Sequence, residues 1–208
     1  MYIPAQFNEQ NLEVMHEMIR AKPLATLVTL NPGGLEANHI PLRLSTDSGA
    51  YGTLRGHIAR SNPLWHEHPE NSDALLIFHG AESYITPSWY ASKSETGKVV
   101  PTWNYVSVQA KGRLRAIHDP LWIRSQLELL TSDNEAGFEH PWAVSDAPHE
   151  FTEKLLEAIV GIEIVISELK GKWKISQNRS DSDRLSVAEG LSRQGQCEMS
   201  ALVKKSSY

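Results

Sequence analysis

The chain is poor in the residue types that announce disulfide, metal or membrane chemistry. A single cysteine, Cys197, stands among 208 residues, so no internal disulfide and no cysteine-built zinc centre can form. A reducing, cytoplasmic location is the expectation. No run approaches the roughly 20 consecutive apolar residues that a bilayer-crossing helix needs, and no membrane partner is expected. The opening, MYIPAQFNEQ, lacks the basic segment and apolar core of a secretory leader. Basic residues are also in deficit: 20 Lys and Arg face 25 Asp and Glu, for a formal net charge of -5. A domain that grips DNA by its phosphates carries the opposite balance.

Signature motifs are missing too. The chain has no GxSxG elbow, no GxxxxGK[ST] loop, no GxGxxG turn and no HExxH pair, which removes the commonest signals for hydrolase, nucleotidase, dinucleotide and zinc-protease chemistry. Of nine histidines, the close pair His66 and His68 would point to different faces of a helix, so no metal site is expected. No side chain identifies itself as a catalytic acid, base or nucleophile.

What the chain does have is clustered. Of its sixteen Trp, Tyr and Phe residues, five fall within YITPSWYASKSETGKVVPTWNY, residues 84–105. Trp89 and Trp103, with Asn104 beside the latter, flank a polar loop carrying Lys93, Glu95 and Lys98. Flat aromatic walls with amides and hydroxyls between them suit a planar heteroaromatic ligand or a partner subunit, or they cover a hairpin core. Around this stretch, β-branched and aromatic runs predict strands at 24–30, 35–44, 50–58, 73–80, 83–86, 102–117 and 162–176. The first two are joined by the turn Asn31-Pro32-Gly33-Gly34. Apolar residues at helical spacing predict helices at 9–21, capped by Asn8, and at 62–68, 120–134, 148–160 and 182–193. The strand–helix alternation of a doubly wound sheet is absent. The expected fold is mainly β with α, a small antiparallel β-barrel flanked by helices. It forms one domain over 1–208 with a helical C-terminal extension at about 181–208.

Three polar stretches carry candidate binding groups. GHIARSNPLW, 56–65, leaves a strand for a helix with Asn62 at the cap and Pro63 at the first helical position. Its His57, Arg60, Ser61 and Asn62 could hold a phosphate, or Asn62 merely caps and Arg60 is solvated. In ANHIPL, 37–42, Pro41 marks an edge, a bulge or the approach of another molecule, with Asn38 and His39 beside it. KWKISQNRSDSDR, 172–184, sets Lys174, Gln177, Asn178 and Arg179 just before a helix capped by Asp181 or Ser182. That donor density suits phosphate, ribityl hydroxyls or a carbonyl-rich ring, and an ordinary surface turn looks much the same. Two strands carry alternating basic residues, Lys111, Arg113 and Arg115 on one and Lys170, Lys172 and Lys174 on the other, so each stripe shares one strand face.

In chain order, ANHIPL, GHIARSNP, YITPSWY, KVVPTWNY and KWKISQNR resemble the PaiB-type FMN-binding negative transcriptional regulators, from MYIPAQF through the helix after Asp181. The resemblance implies an FMN-binding split β-barrel, related in fold to pyridoxamine-phosphate oxidases and flavin reductases, and a homodimer with FMN at the subunit interface. It implies that the 84–105 aromatics help to build that interface and the flavin site. Lys174, Gln177, Asn178 and Arg179 would then serve the cofactor or the dimer contact, with His39 near the ring and His57, Arg60 and Asn62 toward the phosphate. The family name implies a flavin- or redox-responsive repressor, with DNA or a regulatory protein as a further partner. An FMN-dependent oxidoreductase using NAD(P)H is the alternative. A heme-binding split barrel is a third reading, with no axial ligand standing out among His39, His57 and His79.

Overall fold

The computed structural model describes residues 1–67 and 72–205. The expected helix end at 68 and the last residues of the expected C-terminal extension, 206–208, lie outside them. In chain order the elements are β1 (Asn8–Glu9), α1 (Leu12–Ala21), β2 (Leu24–Asn31), β3 (Gly34–Pro41), β4 (Arg43–Ser45), β5 (Thr53–Ala59) and α2 (Leu64–Glu67). Then come β6 (Ser72–Ile85), α3 (Lys93–Thr96), β7 (Thr102–Ile117), α4 (Pro120–Glu135), α5 (His149–Glu157), β8 (Ile159–Lys174), α6 (Asp181–Arg193) and α7 (Cys197–Lys205). The sheet order is β3-β2-β6-β7-β8-β5-β4, with β1 added on β8. No described helix is long and apolar enough to cross a membrane.

The chain divides into two compact units. The first holds 1–18, 79–108 and 170–208, and the second holds 19–78 and 109–169. In the second unit the β2–β3 hairpin pairs from Leu24↔Pro41 to Asn31↔Gly34, as the Asn-Pro-Gly-Gly turn predicts. The expected strand 35–44 stops at Pro41, which has no N–H to continue the ladder. Leu42 N instead donates to Pro23 O at 2.9 Å, and a short β4 begins at Arg43. Since β3 ends the sheet path, Pro41 sits on an edge strand. It is also a point of close approach, because a Cβ on Gly56 would collide with Pro41 O and the Leu42 side chain. The expected start of a strand at 50 moves to Thr53, since Gly49 and Gly52 (φ 81 and 87) form a turn that other residues resist. β5 pairs along β8 from Thr53↔Val165 to Ala59↔Ile159, and Val160, Ile162, Ile164 and Ile166 are buried on β8.

α4 is fastened to this unit by polar contacts. Arg43 Nε donates to Asp133 Oδ2 at 2.7 Å, and His57 Nδ1 on β5 lies 3.2 Å from Gln126 Oε1. Apolar spacing in the two helices singles out Leu121, Leu127, Leu130, Phe151, Leu155 and Ile159; Leu121, Phe151 and Leu155 are exposed and the other three half-buried, while Ile123, Gln126, Thr152 and Leu156 are buried. The expected helix 148–160 ends at Glu157, where β8 takes over the chain.

In the first unit Asn8 and Glu9 pair with Lys172 and Gly171 of β8, so α1 starts later than expected. Its cap is Asn11, whose Oδ1 accepts from Glu13 N at 3.0 Å, rather than Asn8. The two strands predicted at 73–80 and 83–86 are one, because Gly80 keeps the ladder while leaving room for Val106 and Met18. The core gathers Ile85, Tyr90, Val106 and Ile175 with Val187, Ala188 and Leu191 of α6 and Met199 and Val203 of α7. Each fully buried aliphatic side chain contributes about 1.5–3 kcal/mol. Ser180 caps α6 through Asp183 N at 3.3 Å, one residue before the candidates Asp181 and Ser182.

Two outcomes follow from this packing. A Cβ at Gly190 in α6 would strike the Trp89 ring. Overpacking costs about 1–3 kcal/mol against a helix-propensity gain of about 1 kcal/mol, so Gly190→Ala is expected to lower the urea midpoint, and an unchanged midpoint would contradict the contact. Burial pushes the His57 imidazole below its ordinary value, with the Gln126 contact opposing. Below about pH 6.5 the unfolded chain therefore takes up a proton that the folded chain resists, and stability falls as pH drops through that window. His57→Gln is expected to flatten this loss between about pH 7.5 and 5.5; parallel stability profiles for the two proteins would rule it out.

Candidate functional site

The polar stretches singled out in the sequence fold into local groups, each held by its own unit. In the second unit, the loop after β5 is tied down at several points. Arg60 N donates to Ala158 O at 2.8 Å, and the Arg60 side chain donates to Glu157 O at 2.5 Å and Ile159 O at 2.9 Å. The guanidinium therefore clamps the loop to the chain entering β8, leaving Nη1 for a ligand. Asn62 Oδ1 accepts from Leu64 N at 2.9 Å, the cap expected from Asn-Pro, while its Nδ2 donates to Asn38 Oδ1 at 2.8 Å. Ser61 lies exposed between them. The Asn38 contact brings the ANHIPL strand to this loop, but His39 itself turns to Thr26, with Nδ1 3.2 Å from Oγ1.

His57, half-buried on β5, pairs with Gln126 instead of joining Arg60 and Asn62. The other end of that glutamine matters: Gln126 Nε2 is buried with no partner among the described residues. A buried, unpaired donor is costly and marks a place where a ligand oxygen or water completes the bonding. Sequence reasoning passed over Gln126, whose only signal is a polar residue on the inward face of a helix.

In the first unit, β7 and β8 bring the aromatic stretch to the KWKISQNR segment. Lys174 Nζ donates to Thr102 Oγ1 at 2.5 Å and to the Trp103 carbonyl. Trp103 is 54% exposed and packs edge to face on Tyr84, 48% exposed, with centroids 6.0 Å apart. Large aromatic rings left open in this way mark a contact surface. Trp89 is turned inward against Gly190. Asn104 is buried, and its Nδ2 donates to Ser176 Oγ at 2.8 Å.

Ser176 is the one described non-glycine residue with positive φ, at 69°, a conformation serine rarely adopts. It ends β8 and turns the next residues back on the strand. Gln177 Nε2 donates to Trp173 O at 2.5 Å and its Oε1 accepts from Ile175 N at 2.8 Å, so this amide shapes the turn. Asn178 is exposed at the tip. Arg179 stacks over the Tyr90 ring, 4.6 Å from its centroid. Burial raises the Tyr90 phenol, with the Arg179 charge opposing. Burial, then the charges of Lys172 and Arg179, lowers the Lys174 ammonium.

Open aromatic rings beside cations can receive a planar ring bearing an anionic group. The donors of the first unit, ammonium, guanidinium and amide, match the phosphate and carbonyl acceptors of a flavin nucleotide. No described residues cluster as a metal site.

Comparison with known proteins gives the family. A family model described as "Putative FMN-binding domain" matches residues 1–168. An uncharacterised protein of Emericella nidulans is 35% identical, with 94% of this chain and 92% of the relative covered. The "Protease synthase and sporulation protein PAI 2" of Bacillus subtilis is 30% identical, with 92% of this chain and 89% of the relative covered. Among solved structures, an FAD and heme binding protein from Mycobacterium smegmatis superposes with a TM-score of 0.60 at 18% identity, covering 80% of this chain and 73% of that one. A conserved hypothetical protein from Mycobacterium tuberculosis gives 0.59 at 10% identity, covering 86% and 94%. The antiparallel sheet with flanking helices is a split β-barrel, a fold shared with these solved structures. With the family model spanning most of its length, the chain belongs to the PaiB-type FMN-binding family, and FMN is its cofactor.

Proposed function

We propose that this protein is an FMN-binding homodimer that acts as a negative regulator by responding to its flavin, without gripping DNA phosphates itself. The observation that carries this reading is the state of the basic stripe on β7. Lys111 pairs with Glu168 at 2.9 Å, and Arg115 pairs with Glu163 at 2.7 Å. Glu163 also holds Arg55 at 2.9 Å. Arg113 is left as the one cation of that stripe without a carboxylate among the described residues. A stripe neutralised in this way is ill suited to phosphate contacts, which fits the chain's acidic balance. The regulatory part of the reading draws on the Bacillus subtilis relative, whose name couples it to protease synthesis and sporulation. The homodimer draws support from the exposed Trp103, Tyr84 and Val100, a surface suited to a partner subunit.

The expected site residues divide by what they still have to offer. Ser61, Asn178 and the remaining N–H of Arg60 face solvent. Trp103, Lys174 and Arg179 present ring and charge, while Asn104 and Gln177 shape the turn after β8 and Trp89 packs inward on Gly190; in the second unit His57, Asn62 and His39 engage Gln126, Asn38 and Thr26. Bound FMN supplies hydride and electron chemistry, while the side chains bind and orient it. An FMN-dependent oxidoreductase using NAD(P)H is the second reading. The openness of Trp103 and Tyr84 favours it, since a ring resting on them keeps a face accessible to a reductant. The heme reading rests on three histidines, of which His39 and His57 each engage a neighbouring side chain through Nδ1 and His79 is exposed.

Titration of the purified protein with FMN, followed by flavin fluorescence and by sedimentation, tests the reading. Saturation at one flavin per protomer of a dimer is expected, with no binding of DNA at low salt and no sustained oxidation of NAD(P)H. Continuous NAD(P)H turnover would move the assignment to the oxidoreductase, salt-sensitive DNA binding would overturn the indirect action, and absence of flavin binding would sink both flavin readings.

A further inference from the structure

Where α4 ends, a cavity of about 440 Å³ opens between the helix and the bend that joins β3 to β4. All of its lining belongs to the second unit. The floor is apolar. Leu42 and Leu44 are buried, with Pro23 and Leu130 beside them, and the hydrogen bond from Leu42 N to Pro23 O at 2.9 Å fixes the bend. A cavity of this size, with an apolar floor and a few convergent polar groups, is the usual form of a small-molecule site.

The rim carries one ion pair, and that pair is only half used. Arg43 Nε donates to Asp133 Oδ2 at 2.7 Å. Neither side chain has another partner among the described residues, so the two Nη groups of Arg43 and Oδ1 of Asp133 keep their bonding capacity. Asn134 is divided in the same way: its Nδ2 donates to Leu130 O at 2.7 Å, and its Oδ1 remains an acceptor. The carboxyl end of α4 adds a preference for a cation beside it. The surrounding charges include both signs. Arg20 lines the cavity, while Glu135, next to Asn134, accepts from Trp142 N at 3.0 Å. Arg55, across the strand pair from Arg43, is held by Glu163 at 2.9 Å.

These groups select the ligand by charge. An anion alone would meet the Asp133 carboxylate, and a cation alone would meet the Arg43 guanidinium. A ligand with one charge of each sign on neighbouring atoms satisfies both: its carboxylate accepts from Arg43, and its ammonium donates to Asp133 Oδ1 and Asn134 Oδ1. Such charge-assisted bonds close a ring of alternating charges, and the apolar floor is left for an aliphatic substituent. We propose that this cavity binds a free α-amino acid with an aliphatic side chain. The groove beside the 31–34 hairpin offers less, because its Lys111 is already held by Glu168 at 2.9 Å.

The test is calorimetric titration of the full chain with L-leucine and with two analogues that each lack one charge, isocaproate and isoamylamine. The variants are Arg43→Gln and Asp133→Asn, with Arg113→Gln as a control outside the cavity. Circular dichroism melts identify the variants that fold, and the analogue comparison on wild type stands whether or not they do. Wild type is expected to bind L-leucine about ten-fold or more tightly than either analogue. Asp133→Asn is expected to weaken L-leucine to the level of isocaproate, Arg43→Gln to the level of isoamylamine, and the control to change nothing. No heat of binding with about 10 mM L-leucine, or an affinity for L-leucine no higher than for an analogue, overturns the proposal. So does L-leucine binding that is equal in wild type and the folded rim variants, which would place the ligand elsewhere.

Discussion

The backbone pairing of β8 is the constraint on which the rest depends. Its first half pairs along β5 from Ile159 to Val165, which fixes where β5 ends and the loop bearing Arg60 begins. Arg60 is clamped to carbonyls at the entry of the same strand. The second half pairs with β1 at Gly171 and Lys172 and ends in the left-handed Ser176. Because side chains alternate along a strand, one register puts Lys172 and Lys174 on a common face. A slip of one residue would turn both away from Tyr105 and Thr102. The fold thus sets the positions of the candidate binding groups through hydrogen bonds that are themselves insensitive to side-chain identity.

Much of this was legible beforehand where local pattern and tertiary packing agree. β7 runs over 102–117 as the long β-rich stretch predicts, and the 31–34 turn closes its hairpin. Differences arise where the deciding partner is distant in sequence. Asn8 looked like a helix cap until β8 claimed it as a strand residue. The apolar spacing that joined Leu121, Leu127 and Leu130, and Phe151, Leu155 and Ile159, found the buried side only in part, because Leu121, Phe151 and Leu155 are exposed while α4 and α5 bury Ile123, Gln126, Thr152 and Leu156. The cap of α6 moved to Ser180 because the Ser176 turn sets where the helix begins.

The candidate site shows the same division. The GHIARSNP cap and the clustering of aromatics near 84–105 were readable from residue type. The engagement of Arg60 with carbonyls was not, since it depends on the chain 97 residues away. Lys172 read as one member of a basic stripe, and its burial against Tyr2 and Tyr105 requires three separated segments to meet. Gln126 gave no signal at all, yet it carries an unpaired buried amide beside His57. Electrostatics separates the two stripes that looked alike in sequence: the β7 stripe is largely matched by the carboxylates of Glu163 and Glu168, while Lys172 and Lys174 on β8 donate to neutral oxygens.

The matched β7 stripe underlies the functional account, in which the protein works through its flavin and not through phosphate contacts to DNA. The most direct measurement is a crystal structure of the FMN complex. The account predicts a homodimer with one FMN per protomer, its ring resting against the exposed Trp103 and Tyr84. A monomer, or a flavin bound away from Trp103 and Tyr84, would contradict it.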